Sequence, residues 1–185
     1  KVFDTTIDTL LKVRDNLILE NLDAAISAIH NSRRVEFYGF GASAAVAFDA
    51  QHKFFRLQIT ASAYADPHLQ NMSATSLEPG DVAVAISQSG RSIALLDSME
   101  LVKNSGGIVI GIAPTNSPVA AAATIPIQVD SQDDDQIYTP LSSRIAHLAV
   151  IDALAIGVAQ KKGPKLDSHL ERLRGSLASL RTSVD

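Results

Sequence analysis

Three serines, a side-chain amide and a glycine are crowded into six residues, Ser87-Gln88-Ser89-Gly90-Arg91-Ser92. The loop follows an apolar run and opens a helical pattern. A serine hydroxyl both donates and accepts hydrogen bonds. The amides of a helix's first turn have no intrahelical acceptor, and they sit at the positive end of its dipole. Converging, such groups form an anion cradle that needs no lysine. One serine suffices for a helix cap or turn; three at one helix start point to a ligand, and a phosphate is the anion that suits them. A second loop, Gly39-Phe40-Gly41-Ala42-Ser43, also follows an apolar run and opens a helix. Its glycines let backbone approach a ligand. Taken alone it is equally a tight strand-to-helix turn. It lacks the third glycine of the dinucleotide fingerprint, and no acidic residue ends the next strand. Nor is it the Gly-x-Ser-x-Gly elbow of a hydrolase, so Ser43 is not read as a nucleophile.

Other polar residues carry two readings each. His68 follows Asp66-Pro67 and either reaches the ligand or caps and packs its own helix. Arg91 either pairs with an acidic ligand or lies in solvent. Arg144 faces either a ligand carboxylate or a partner subunit. His52 and His147 read as surface or interface residues, and His30 and His169 as solvated. Asp133-Asp134-Asp135 reads as a solvated loop, because a triple carboxylate would repel an anionic ligand. No histidine and carboxylate spacing suits a metal, so no metal and no cofactor are expected.

These loops need strands behind them. Five short apolar runs, at 35–38, 58–61, 81–86, 107–112 and 124–129, alternate with helical patterns near 43–56, 68–76, 91–105 and 116–123. The third and fourth runs are nearly continuous Val, Ile and Ala, as in strands buried on both faces. Alternating strand and helix predicts a parallel sheet covered on both sides, a doubly wound α/β fold. In the flavodoxin-like order 2-1-3-4-5, strands one and three are neighbours at the topological switch point, where ligands bind beyond the strands' carboxyl ends. Both loops then face one crevice. A helix over 1–31 precedes the sheet, with 1–19 read as a connector; the binding domain spans 20–162, with a long helix at 142–161, and a polar C-terminal helix occupies 163–185.

The bulk numbers agree with one globular domain. The chain has 185 residues, 46% hydrophobic and 19% charged, with a formal net charge of -4. A nucleic-acid-binding surface is usually basic, so DNA contact is expected only through another domain. Without cysteine there are no disulfides, thiolate metal sites or thiol nucleophiles. No run of about 18 apolar residues suggests a membrane span, and a cytoplasmic location is expected. The chain opens at Lys1 without a signal-peptide pattern, and a further domain is expected on its N-terminal side.

The paired loops resemble the sugar isomerase (SIS) domain, a phosphosugar-binding fold, over roughly residues 20–160. The resemblance implies that Ser87, Gln88, Ser89, Gly90 and Ser92 grip a phosphate, and that Gly41, Ala42 and Ser43 contact the sugar or phosphate. Three further segments, at 49–56, 66–74 and 143–152, resemble RpiR-type transcription regulators, and within them the HexR group. That resemblance implies a preceding helix-turn-helix domain, a homodimer, and a sugar phosphate or phosphorylated sugar acid as effector, 2-keto-3-deoxy-6-phosphogluconate in that group, whose binding releases DNA. SIS isomerases often carry a lysine where this chain has Ala42. They also carry a glutamate near the stretch Thr139-Pro140-Leu141-Ser142-Ser143, which has no carboxylate. Moving a proton beside a carbonyl needs a base; the best-placed candidate is absent, and His68 is the residue that could still supply one. A binder is therefore expected rather than an enzyme; a phosphosugar isomerase and a dinucleotide-binding oxidoreductase domain are the alternatives.

Overall fold

The structure, a computed structural model, describes residues 1–131, 141–178 and 180. The Asp133–Asp135 run and Thr139-Pro140 lie outside the described residues. Five parallel strands form one sheet, β1 (Val35–Tyr38), β2 (Ala61–Tyr64), β3 (Val82–Ile86), β4 (Ile108–Ala113) and β5 (Ile125–Gln128), in the order β2-β1-β3-β4-β5. The expected doubly wound architecture is the observed one. Val35 of β1 is in register with Ala61 of β2 and Val82 of β3.

The chain steps from β1 to β2 in one direction and from β2 through β3 and β4 to β5 in the other. Right-handed crossovers must then place helices on opposite faces. α3 (Ala42–Arg56) lies on one face with α1 (Val2–Asn16), α2 (Leu19–Asn31) and α7 (Ser142–Lys162). α4 (Pro67–Thr75), α5 (Ile93–Asn104) and α6 (Pro118–Ala122) cover the other, and α8 (Pro164–Ala178) follows α7. Strand alternation supplies both cores. Val35, Phe37, Val84 and Ile110 face the α3–α7 side, and Tyr38, Ala83, Ala85 and Val109 face the α4–α5 side.

Three sequence expectations are corrected. The segment 1–31 is two helices, not one: Leu17 is extended, with φ -61° and ψ 126°. The second strand is Ala61–Tyr64 rather than 58–61, because Gln58 turns the chain with φ 56°. α7 is 21 residues long and, by length and composition alone, apolar enough to cross a membrane. Half of its most apolar window is buried inside the fold, where it packs on α1, α2 and α3, as a core helix does.

Two buried carboxylates sit beneath the α4 side. Glu36, in β1, accepts from the Tyr38 hydroxyl at 2.5 Å and the Ser73 hydroxyl at 2.6 Å. Burial pushes the Tyr38 phenol well above its ordinary range, and the Glu36 charge reinforces this. Asp81 accepts from Arg33 Nη2 at 2.7 Å and from the Glu78 amide at 2.9 Å. Burial alone would raise its pKa; the Arg33 and Glu78 hydrogen bonds and the nearby arginine charges outweigh it and hold the carboxyl below its usual value. A depressed carboxylate stabilises the fold above its unfolded pKa and loses that contribution as pH falls through the folded value. Asp81→Asn is therefore expected to cost about 1–3 kcal/mol at neutral pH. The difference from wild type should shrink on acidification below about pH 4, as read by thermal unfolding across pH. A difference that stays constant down to pH 2 would contradict this assignment.

Candidate functional site

β1 and β3 pair directly, so the loops leaving their carboxyl ends meet. Between them lies a cavity of about 230 Å³. Phe40, Ala42 and Ser43 line it from the first loop; Ser87, Gln88, Ser89 and Ser92 line it from the second. Ile86 and Leu95 supply its apolar floor. The space suits a phosphoryl group on a short carbon chain; drug-sized ligands occupy roughly 300–1,000 Å³.

The second loop is organised by its own hydroxyls. The Gly90 amide donates to Ser87 Oγ at 2.9 Å, and the Arg91 amide to Ser89 Oγ at 3.3 Å. Ser92 is the N-cap of α5, accepting from the Leu95 amide at 3.4 Å. Each of these oxygens takes a backbone proton, which fixes its position and leaves its own O–H to donate outward. The Ile93 and Ala94 amides, in the first turn of α5, have no intrahelical acceptor. Among the described residues, no lysine, arginine or carboxylate lines the cavity. An anion bound there would be held by neutral donors and the helix dipole.

The first loop depends on close approach. A Cβ on Gly39 would lie 2.6 Å from the Ser43 carbonyl oxygen, so only glycine allows α3 to start so near β1. Gly41, with φ 54°, is the N-cap of α3. Ser43 stands in the first turn, 7% exposed, and its hydroxyl makes no hydrogen bond among the described residues.

A tight crevice opens beside the cavity. Ala42, Ser43 and Gln88 form their common wall, and Ser143, Arg144 and His147 of α7 close the far side. Arg144 thus comes to the site. His147, expected at the surface, is 1% exposed and borders this crevice. His52 is exposed, whereas His30 and His169, expected in solvent, are half-buried. His68 is exposed on the first turn of α4 and lines neither space. Arg91 is also exposed and borders neither. Gly41 and Gly90 shape the loops without lining the cavity. The sequence reading missed Phe40, Ile86, Leu95 and His147. Only Phe40, set between two loop glycines, carried a local signal of its place.

The SIS domain family matches residues 28–157 of the chain. The HTH-type transcriptional regulator HexR of Pseudomonas aeruginosa is 38% identical over 185 residues, which is all of this chain and 65% of that protein. The bifunctional protein glk of Burkholderia thailandensis is 42% identical over 162 residues, 88% of this chain and 25% of that protein. The chain thus spans less than two thirds of the length of either relative. Among solved structures, the Vibrio vulnificus NanR protein complexed with ManNAc-6P superposes with a TM-score of 0.90 at 19% identity, covering 98% of this chain and 69% of that one. That likeness speaks for the fold.

Proposed function

The chain belongs to the SIS domain family, and from that premise we propose that it is the sugar-phosphate-sensing domain of a bacterial transcription regulator, a binder and not an enzyme. The observation that carries this reading is the meeting of two serine-glycine loops on one cavity lined by neutral donors. Phosphate sits in the Ser87–Ser92 loop, and Ser43 contacts the sugar. The similarity to HexR favours 2-keto-3-deoxy-6-phosphogluconate as effector. Isomerisation would need a group to carry a proton beside the carbonyl; the described residues lining the cavity include no carboxylate, imidazole or amine, and the imidazole of His147 lies in the adjoining crevice.

Ser43→Ala tests the reading cleanly, because the hydroxyl bonds nothing among the described residues. It is expected to weaken effector binding about 10-fold while leaving the thermal midpoint unchanged, since a hydrogen bond to a charged group is worth roughly 1.5–3 kcal/mol. Calorimetric titration with 2-keto-3-deoxy-6-phosphogluconate gives the answer; an affinity equal to wild type would sink the site.

The domain works as a cytoplasmic homodimer whose arrangement is reported by a DNA-binding domain attached in the whole regulator. The helices α3 and α7 pack together and expose Phe48, Phe55, Ile145 and Ile156. Such an apolar face favours a second copy. An effector that binds one arrangement better shifts the dimer towards it. Sedimentation velocity is expected to give a dimer at micromolar concentration; a monomer throughout would remove this part of the reading.

A further inference from the structure

We propose that Arg144 determines specificity by pairing with a carboxylate at the end of the ligand opposite the phosphate, so that the site prefers acidic phosphosugars to neutral ones. The inference rests on reading the Ser87–Ser92 loop as the phosphate cradle. Arg144 stands on the first turn of α7 and borders the crevice that shares Ala42, Ser43 and Gln88 with the phosphate cavity. A ligand anchored by phosphate in the cavity and running past Ser43 follows the wall the two spaces share; the crevice itself is too narrow to hold a ligand.

The charges are arranged unevenly. Among the described residues the cradle is neutral, and Arg144 is the one arginine or lysine on the lining of either space. Among the described residues, a second anion on the ligand finds a full positive charge only there. Arg144 enters none of the ion pairs among the described residues. The guanidinium fork matches a carboxylate bidentately. The start of α7 adds its positive dipole end. Behind the exposed Arg144, one turn along, the imidazole of His147 is 1% exposed and lines the crevice. Arg91, the other candidate cation, borders neither space.

The test is calorimetric titration of the chain and its Arg144→Ala and Arg144→Lys variants with three probes. One is 2-keto-3-deoxy-6-phosphogluconate, which carries a carboxylate; the others are glucose 6-phosphate and inorganic phosphate, which do not. Arg144→Ala is expected to weaken the acid about 10–100-fold and to leave both comparators within about twofold. Arg144→Lys should recover part of the loss, because lysine keeps the charge without the fork. Arg144 is exposed, so the thermal midpoint should not move. Equal losses on all probes, or no loss on the acid, would overturn the inference. Wild-type binding that Ser87→Ala abolishes and Arg144→Ala spares would overturn it alone, whereas a wild-type chain that binds no probe would fell the phosphate reading and this one together.

Discussion

Ser87→Ala lowers affinity for a sugar phosphate by about 10–100-fold and the folding stability by about 1 kcal/mol. Two losses combine. In the proposed site the Ser87 hydroxyl would no longer donate to the phosphoryl oxygen, and it is one of few donors lining the cavity. The Gly90 amide also loses its acceptor at 2.9 Å, inside a buried turn, so the loop's shape relaxes. Ser43→Ala is expected to remove the proposed ligand contact without this second effect, and comparing the variants separates gripping from shaping. Calorimetry gives the affinities and thermal unfolding the stabilities. A Ser87→Ala protein that binds sugar phosphate as wild type does would show that the loop is only a cap for α5.

Gly90→Ala is expected to be the most damaging single change. Gly90 has φ 65°, and an alanine Cβ there would lie 2.3 Å from both Cβ and Oγ of Ser117. The left-handed backbone costs an L-residue roughly 1–2 kcal/mol, and overpacking typically adds 1–3. The clash also spreads. Ser117 caps α6 through the Ala120 amide at 3.2 Å, and the Val119 amide donates to the Gly90 carbonyl at 3.0 Å. Loop and α6 cannot separate without losing one of these bonds. The sum, about 2–5 kcal/mol, is a large part of a typical domain's stability. The thermal midpoint should fall by about 5–15 °C, with sugar-phosphate binding no longer detectable. An unchanged midpoint with intact binding would refute the loop geometry.

Much of this was written in residue pattern. β1 and β3 are fully buried strands, and their apolar runs end within a residue of the observed limits. The glycines and serines that follow are bound to those ends, so the two-loop cavity was legible once the strand order was known. β2 was misplaced because it is an edge strand of alanine, serine and tyrosine, half-buried throughout. Alanine and serine carry little strand preference, and the one strand former, Tyr64, stands at the end of β2. The break at Leu17 was invisible because neither glycine nor proline marks it, and apolar spacing runs on across it. His147 was hidden for another reason. α7 is apolar around most of its girth, so no amphipathic stripe shows which face meets α3 and which meets the site. Ile86 and Leu95 look like core residues because they are core residues, exposed to the cavity only at its floor.

The most direct test is a crystal structure of the chain grown with 2-keto-3-deoxy-6-phosphogluconate. The phosphoryl oxygens are predicted to lie within hydrogen-bond distance of the Ser87, Ser89 or Ser92 hydroxyls and of the first-turn amides of α5, with the sugar chain passing Ser43. A phosphate seated against lysine or arginine side chains elsewhere, with the cavity between the two loops unchanged, would contradict the account.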